Sequence, residues 1–233
     1  MRQIFLDTET TGLSADKGDR VIEIGCVEFV NRKATGEIRH YYLNAGRDSH
    51  EDALKVHGLT REFLKDKPTF AEVAGDLLQY LQGAELLIHN APFDLGFLNQ
   101  ELALIGQPAF ASHVLRIVDT LAMAKDLYPG KRNSLDGLCD RLGVDRSGRK
   151  LHGALLDAEL LADVYINMTR GQDALLIDAP AEENRCASWV GADLSSYELS
   201  VPAASEQELS AHEEVLKQID KASAGKTVWR LLA

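Results

Sequence analysis

Four carboxylates and one histidine in the first two-thirds of the chain have the types and spacing to do chemistry. Asp7 and Glu9 stand in Ile4-Phe5-Leu6-Asp7-Thr8-Glu9-Thr10-Thr11-Gly12. Asp94 closes His89-Asn90-Ala91-Pro92-Phe93-Asp94, and His152 and Asp157 frame His152-Gly153-Ala154-Leu155-Leu156-Asp157. Each acid is set among apolar neighbours, where an ionised carboxylate without a partner is costly. Divalent cations remove that cost, and Mg²⁺ or Mn²⁺ prefers oxygen ligands. Four converging acids therefore point to a two-cation site that cuts phosphodiesters. A histidine ordinarily titrates near neutral pH, so His152 is the candidate to take a proton from an attacking water.

The neighbouring residues say how these groups are carried. Gln3 to Leu6 is a short apolar run that predicts a buried strand. Residues two apart on a strand point to the same face, so Asp7 and Glu9 project together from its end. Asp94 opens a helix after Pro92 and begins an apolar stripe through Phe97, Leu98, Leu102 and Ile105. Asp157 does the same with Leu161, Val164 and Met168. Inward acids at three separated places do not fit a solvated surface.

Asp-x-Glu, Asn-x-x-Phe-Asp and His-x-Ala-Leu-x-Asp, in that order, resemble the three motifs of the DEDDh 3′→5′ exonucleases, with every motif position filled over roughly residues 1–170. The resemblance implies an α/β, ribonuclease H-like fold: a mixed five-stranded sheet flanked by helices. It implies two divalent cations, Mg²⁺ or Mn²⁺. Asp7 bridges both, Glu9, Asp94 and Asp157 complete the shells, and His152 serves as general base. It also implies that Thr10 and His57 hold the terminal nucleotide, that Phe93 and Val56 pack against sugar or base, and that Asp7, Glu9 and Asp157 face the substrate. Val56-His57-Gly58-Leu59-Thr60 and the long C-terminal stretch resemble the family's proofreading members. The implied activity is therefore removal of mispaired 3′ ends of DNA for a replicative polymerase, with release of nucleoside 5′-monophosphates.

The chain pattern suits this fold. Strands are predicted at 3–8, 21–30, 37–43, 85–89 and 114–119, the first three as an antiparallel meander because no helical pattern separates them. Helices are predicted at 70–82, 93–105, 120–127, 134–142 and 153–169, punctuated by Gly83, Gly106-Gln107-Pro108 and Tyr128-Pro129-Gly130.

Residues 1–171 thus form the expected exonuclease domain, and after Gly171 the texture changes. Residues 172–177 (Gln-Asp-Ala-Leu-Leu-Ile) are an apolar plug that resembles the family's sliding-clamp-binding peptide. Residues 178–204, rich in Pro, Ala, Ser and acids, read as a flexible linker. In 205–233, Ser205-Glu206-Gln207-Glu208 is a capping box ahead of a helix that puts Leu209, His212, Leu216 and Ile219 on one face. Val228-Trp229-Arg230-Leu231-Leu232 then forms an apolar cluster too small to fold alone, and such a cluster after a linker is a docking segment, here for the polymerase catalytic subunit. The resemblance also implies a small third core subunit on the exonuclease domain.

Composition limits the alternatives. The net charge is −11, with 36 acids against 25 Lys and Arg. Phosphate contacts supply most non-specific affinity for nucleic acid, so the isolated chain is expected to grip DNA weakly and to rely on a partner. Cys26, Cys139 and Cys186 are far apart and form no CxxC pair, which fits reduced thiols in a cytoplasmic protein. No apolar run is long enough to span a membrane, and there is no basic-then-apolar leader.

Two other readings stand beside this one. A free-standing RNA or oligonucleotide exonuclease of the same family shares the metal residues but has no use for a docking tail. A non-catalytic adaptor would have lost a ligand or His152, and none is missing. A two-carboxylate glycosidase leaves two acids unexplained. For His57, a plain turn before a helix starting at 60 is the bland alternative. His89 ends a strand, and His40, His50, His113 and His212 carry no assigned chemistry.

Overall fold

A computed structural model describes residues 1–146, 151–170, 203–223 and 229. It divides into Met1–Asp178 and Ala179–Ala233. The predicted plug at 172–177 and nearly all of the linker at 178–204 lie outside the described residues.

In the first unit, β1 (Arg2–Thr10), β2 (Val21–Val30) and β3 (Lys33–Tyr42) form the expected antiparallel meander. The strands β4 (Glu85–Ile88) and β5 (Arg116–Asp119) add to the free side of β1 in parallel, giving the order β3-β2-β1-β4-β5. The mixed five-stranded sheet read from the sequence is the one observed. Helices α1 (Glu51–His57), α2 (Arg61–Leu64), α3 (Phe70–Leu81), α4 (Ala91–Leu104), α5 (Thr120–Leu127), α6 (Leu135–Leu142) and α7 (Ala154–Thr169) flank it.

Alternation along β1 divides the core in two. Ile4 and Leu6 face one side, against Leu77 and Leu81 of α3 and Leu98 and Leu102 of α4. Phe5 faces the other, against Ala158, Leu161 and Ala162 of α7. A third cluster joins α5, α6 and α7 through Ala124, Leu138, Leu160 and Val164. The acids at the end of β1 thus sit between two packed layers.

Two elements depart from the sequence reading. β3 starts at Lys33 rather than 37, because Asn31 and Arg32 both take left-handed φ (50° and 65°) and close a two-residue hairpin. The seven-residue α1 was not expected; only His57 is buried in it, so it shows no apolar stripe. Its end is set by Gly58, whose φ of 72° suits glycine and whose Cβ would lie 2.7 Å from Leu151 Cδ1.

In the second unit, α8 (Glu206–Ser223) begins with the expected capping box. Ser205 N and Oγ both donate to the Glu208 carboxylate at 2.8 Å, and Glu208 N donates back to Ser205 Oγ at 3.3 Å. Of the predicted face only Leu216 is buried; Leu209 and Ile219 are exposed. Among the described residues no helix is long and apolar enough to cross a membrane.

Candidate active site

The odd-numbered face of β1 carries Phe5, Asp7 and Glu9 in a row, so the two acids share the side on which α7 packs. In the β1–β2 register Asp7 is opposite Gly25 and Glu9 is opposite Glu23. Gly25 has no Cβ to hold α7 away, and the backbone of Ala154 and Leu155 lies directly on it. The helix therefore starts at the sheet surface, and its first turn presents Asp157, whose amide nitrogen donates to Gly153 O at 2.9 Å. Donor atoms of Glu9, His152 and Asp157 lie within 4.8 Å of one another. His152 Nδ1 is 3.2 Å from Asp157 Oδ2.

Asp94 arrives from the other face. Its helix, α4, opens at Asn90 in a left-handed conformation (φ 70°, ψ 50°), with Pro92 in the first turn. Asn90 N donates to Asp119 Oδ1 at 3.1 Å, and the same oxygen caps α5 by accepting from Leu121 N at 2.9 Å. Asp94 is only 3% exposed and accepts from the Thr8 hydroxyl at 2.7 Å. Burial pushes its carboxyl up to about 7; the Thr8 bond pulls it down, and the nearby Asp119 charge pushes it up. Thr8 thus ties the α4 acid to the strand that bears Asp7 and Glu9. The sequence reading passed over both Thr8 and Asp119. The cap pattern Asp119-Thr120-Leu121 ahead of a helix was the available signal for the second.

The residues implied to meet substrate each have their own local contacts. The Val56 carbonyl accepts from His152 N at 3.1 Å, so the end of α1 is fastened to the segment that carries the histidine; the Val56 side chain is half exposed. His57 is buried, with Nδ1 accepting from Leu59 N at 2.9 Å. Its Nε2 is buried without a hydrogen-bond partner among the described residues, and burial lowers its pKa, favouring the neutral ring. Phe93 is half-buried against Phe97, with ring centroids 5.1 Å apart. The Thr10 hydroxyl donates to the Gly12 carbonyl at 2.6 Å rather than standing in the acid cluster. His89 closes β4 and is held by Thr120 Oγ1 and Asn133 O, each at 3.0 Å.

The donor set fits divalent cations. Glu9, His152 and Asp157 bring two carboxylates and an imidazole within reach of one ion, and Asp94, tied by Thr8 to the same strand, is a carboxylate whose charge is disfavoured by burial. A cation relieves that penalty directly.

Comparison with known proteins agrees with this geometry. The family model described as Exonuclease matches residues 4–165. The DNA polymerase III subunit epsilon of Haemophilus influenzae is 47% identical over 98% of this chain and 94% of its own length. That of Escherichia coli is 44% identical over 98% and 97%. Among solved structures, the nuclease domain of 3′hExo, a DEDDh family member bound to rAMP, superposes with a TM-score of 0.62 at 19% identity. The match covers 73% of this chain and 92% of that one, and at this identity it speaks to the fold. With its motifs, sheet order and acid cluster all in agreement, the chain belongs to the exonuclease family and is a 3′→5′ exonuclease.

Proposed function

We propose that this exonuclease proofreads for a replicative DNA polymerase, using two divalent cations, Mg²⁺ or Mn²⁺, held by Asp7, Glu9, Asp94 and Asp157. Asp7 would be one of their ligands and His152 would act as the general base. The observation that carries the reading is the convergence of Glu9, His152 and Asp157 donors within 4.8 Å of one another. Cations held there would supply a nucleophile at neutral pH and relief for the charge that gathers on the phosphoryl and leaving oxygens.

The chain's own residues do the rest. With Nδ1 beside Asp157, the His152 ring presents Nε2 as the atom that takes the proton of the attacking water. The backbone bond from His152 N to Val56 O ties the segment that carries this histidine to the end of α1, where Val56 is proposed to meet the nucleotide. His57 Nε2, buried without a hydrogen-bond partner among the described residues, supports a role for His57 in holding the terminal nucleotide. Phe93 packs against its sugar or base, and Thr10 steadies the loop around it through Gly12. Discrimination against matched ends needs little from this site, because a mispaired end is unpaired more often and its separation energy is already supplied.

The near full-length similarity to DNA polymerase III epsilon subunits supports a place in a polymerase core, working in the cytoplasm. Residues 205–233 dock on the polymerase catalytic subunit, residues 172–177 on a sliding clamp, and a small third subunit binds the exonuclease domain. The test is an exonuclease assay with Mg²⁺ or Mn²⁺ on matched, mispaired and RNA 3′ ends, with and without the polymerase subunit. Nucleoside 5′-monophosphates released fastest from mispaired DNA, with a further gain when the polymerase is present, support the reading. Preference for RNA and indifference to the polymerase would replace it with a free-standing RNA or oligonucleotide exonuclease.

A further inference from the structure

Glu23 is an acid that the metal reading leaves unused. It lies on β2 directly opposite Glu9, so both side chains face α7. It is only 2% exposed. Like charges directly opposite in a sheet are destabilising, and a buried carboxylate needs compensation. His40 supplies it, with Nε2 at 2.7 Å from Glu23 Oε1. Tyr42, paired with Glu23 across β2–β3, has its phenol pushed up first by burial and then by this carboxylate. Two rows thus cross three strands on the α7 side: Tyr42–Glu23–Glu9, and beside it His40–Gly25–Asp7.

The other neighbour of Glu23 is the segment that carries the general base. A Cβ built on Gly153 would lie 3.8 Å from Glu23 Oε1. Gly153 follows His152 and caps α7, so Glu23 lies between Glu9, its partner in the strand register, and the start of the helix that carries Asp157. It also puts negative charge at the N-terminus of α7, where the helix dipole favours it.

We propose that Glu23, anchored by His40, is a positioning residue for hydrolysis: it fixes Gly153, and so His152 and Asp157, against Glu9, and its charge strengthens cation binding there. This rests on the two-cation reading. Partners that stand behind metal ligands typically change affinity or activity by about 10- to 100-fold when removed.

The test is Glu23→Gln in the full chain, which keeps shape and removes charge. We expect Mn²⁺ affinity by calorimetry and kcat on a single-stranded oligonucleotide at saturating Mg²⁺ each to fall about tenfold or more. KM for DNA should stay unchanged, and the melting temperature without metal should be equal or higher. Glu23→Asp, which keeps the charge but shortens its reach, should retain Mn²⁺ affinity while losing kcat. It also serves if the Gln variant folds poorly. Normal Mn²⁺ affinity and kcat in Glu23→Gln, or a full kcat in Glu23→Asp, overturns the proposal. Asp7→Ala run in parallel separates the two ideas: if that variant is inactive while Glu23→Gln is normal, only the role of Glu23 fails.

Discussion

Gly25 lies directly beneath Ala154, so close that a Cβ on Gly25 would overlap the Ala154 carbonyl and the Leu155 amide nitrogen. This approach places the start of α7 on the sheet beside Asp7. Gly25→Ala must push the helix away. Overpacking of this kind costs about 1–3 kcal/mol, and here backbone atoms have little freedom to yield. Both the melting temperature and kcat should drop, and kcat should stay low when measured well below the melting transition. Thermal melting together with steady-state assays checks this.

Asp94 gives a pH dependence with a definite sign. Its folded carboxyl titrates at about 7, against an ordinary value of 3.8. Between those values the unfolded chain loses the proton first, so the folded state binds more protons and stability falls as pH rises. The penalty is absent below the ordinary value and complete above about 7. In chelator, the wild-type melting temperature should therefore decline from pH 5 to pH 8. Asp94→Asn should flatten that decline and melt higher at pH 8, with little activity. A melt series in chelator across that range reads the slope.

His152 should behave as a base rather than as a ligand. Positioned bases typically contribute about 10²- to 10⁴-fold. His152→Ala should lose rate in that range, while Mn²⁺ affinity, measured by calorimetry, stays close to that of the wild type. Full rate at neutral pH in this variant would reduce His152 to a support for Asp157.

The strand and helices that carry the candidate site residues were legible because they obey local rules. Asp7 and Glu9 are readable from strand alternation, and Asp94 and Asp157 from apolar stripes that begin at an acid. What escaped depends on tertiary neighbours. The β3 start was hidden because Asn31-Arg32 is not an Asn-Gly turn and residues 33–37 are exposed, leaving no alternation to read. The short α1 is held by its bond to the His152 segment rather than by its own pattern. The bond from Thr8 to Asp94 spans 86 positions, and the pairing of Glu23 with Glu9 needs the strand register, so neither could be seen in the sequence alone.

The C-terminal stretch offers a separable test. Ending the chain after Arg170 should leave a folded exonuclease that still degrades single-stranded DNA. It should no longer co-elute with the polymerase subunit at micromolar concentration. Leu175→Ala with Leu176→Ala should weaken only a clamp contact. Undiminished polymerase binding by the truncated chain would place docking on the folded domain.

The most direct measurement of the central claim is hydrolysis of a mispaired 3′ end by wild type and Asp7→Ala, with Mg²⁺ or with excess chelator. Wild type with Mg²⁺ should release nucleoside 5′-monophosphates from the 3′ end. Chelator should stop it, and Asp7→Ala should be nearly inactive while melting no lower than wild type in the absence of metal. Turnover in chelator, or near-normal turnover by folded Asp7→Ala, would contradict a two-cation site built on these four carboxylates.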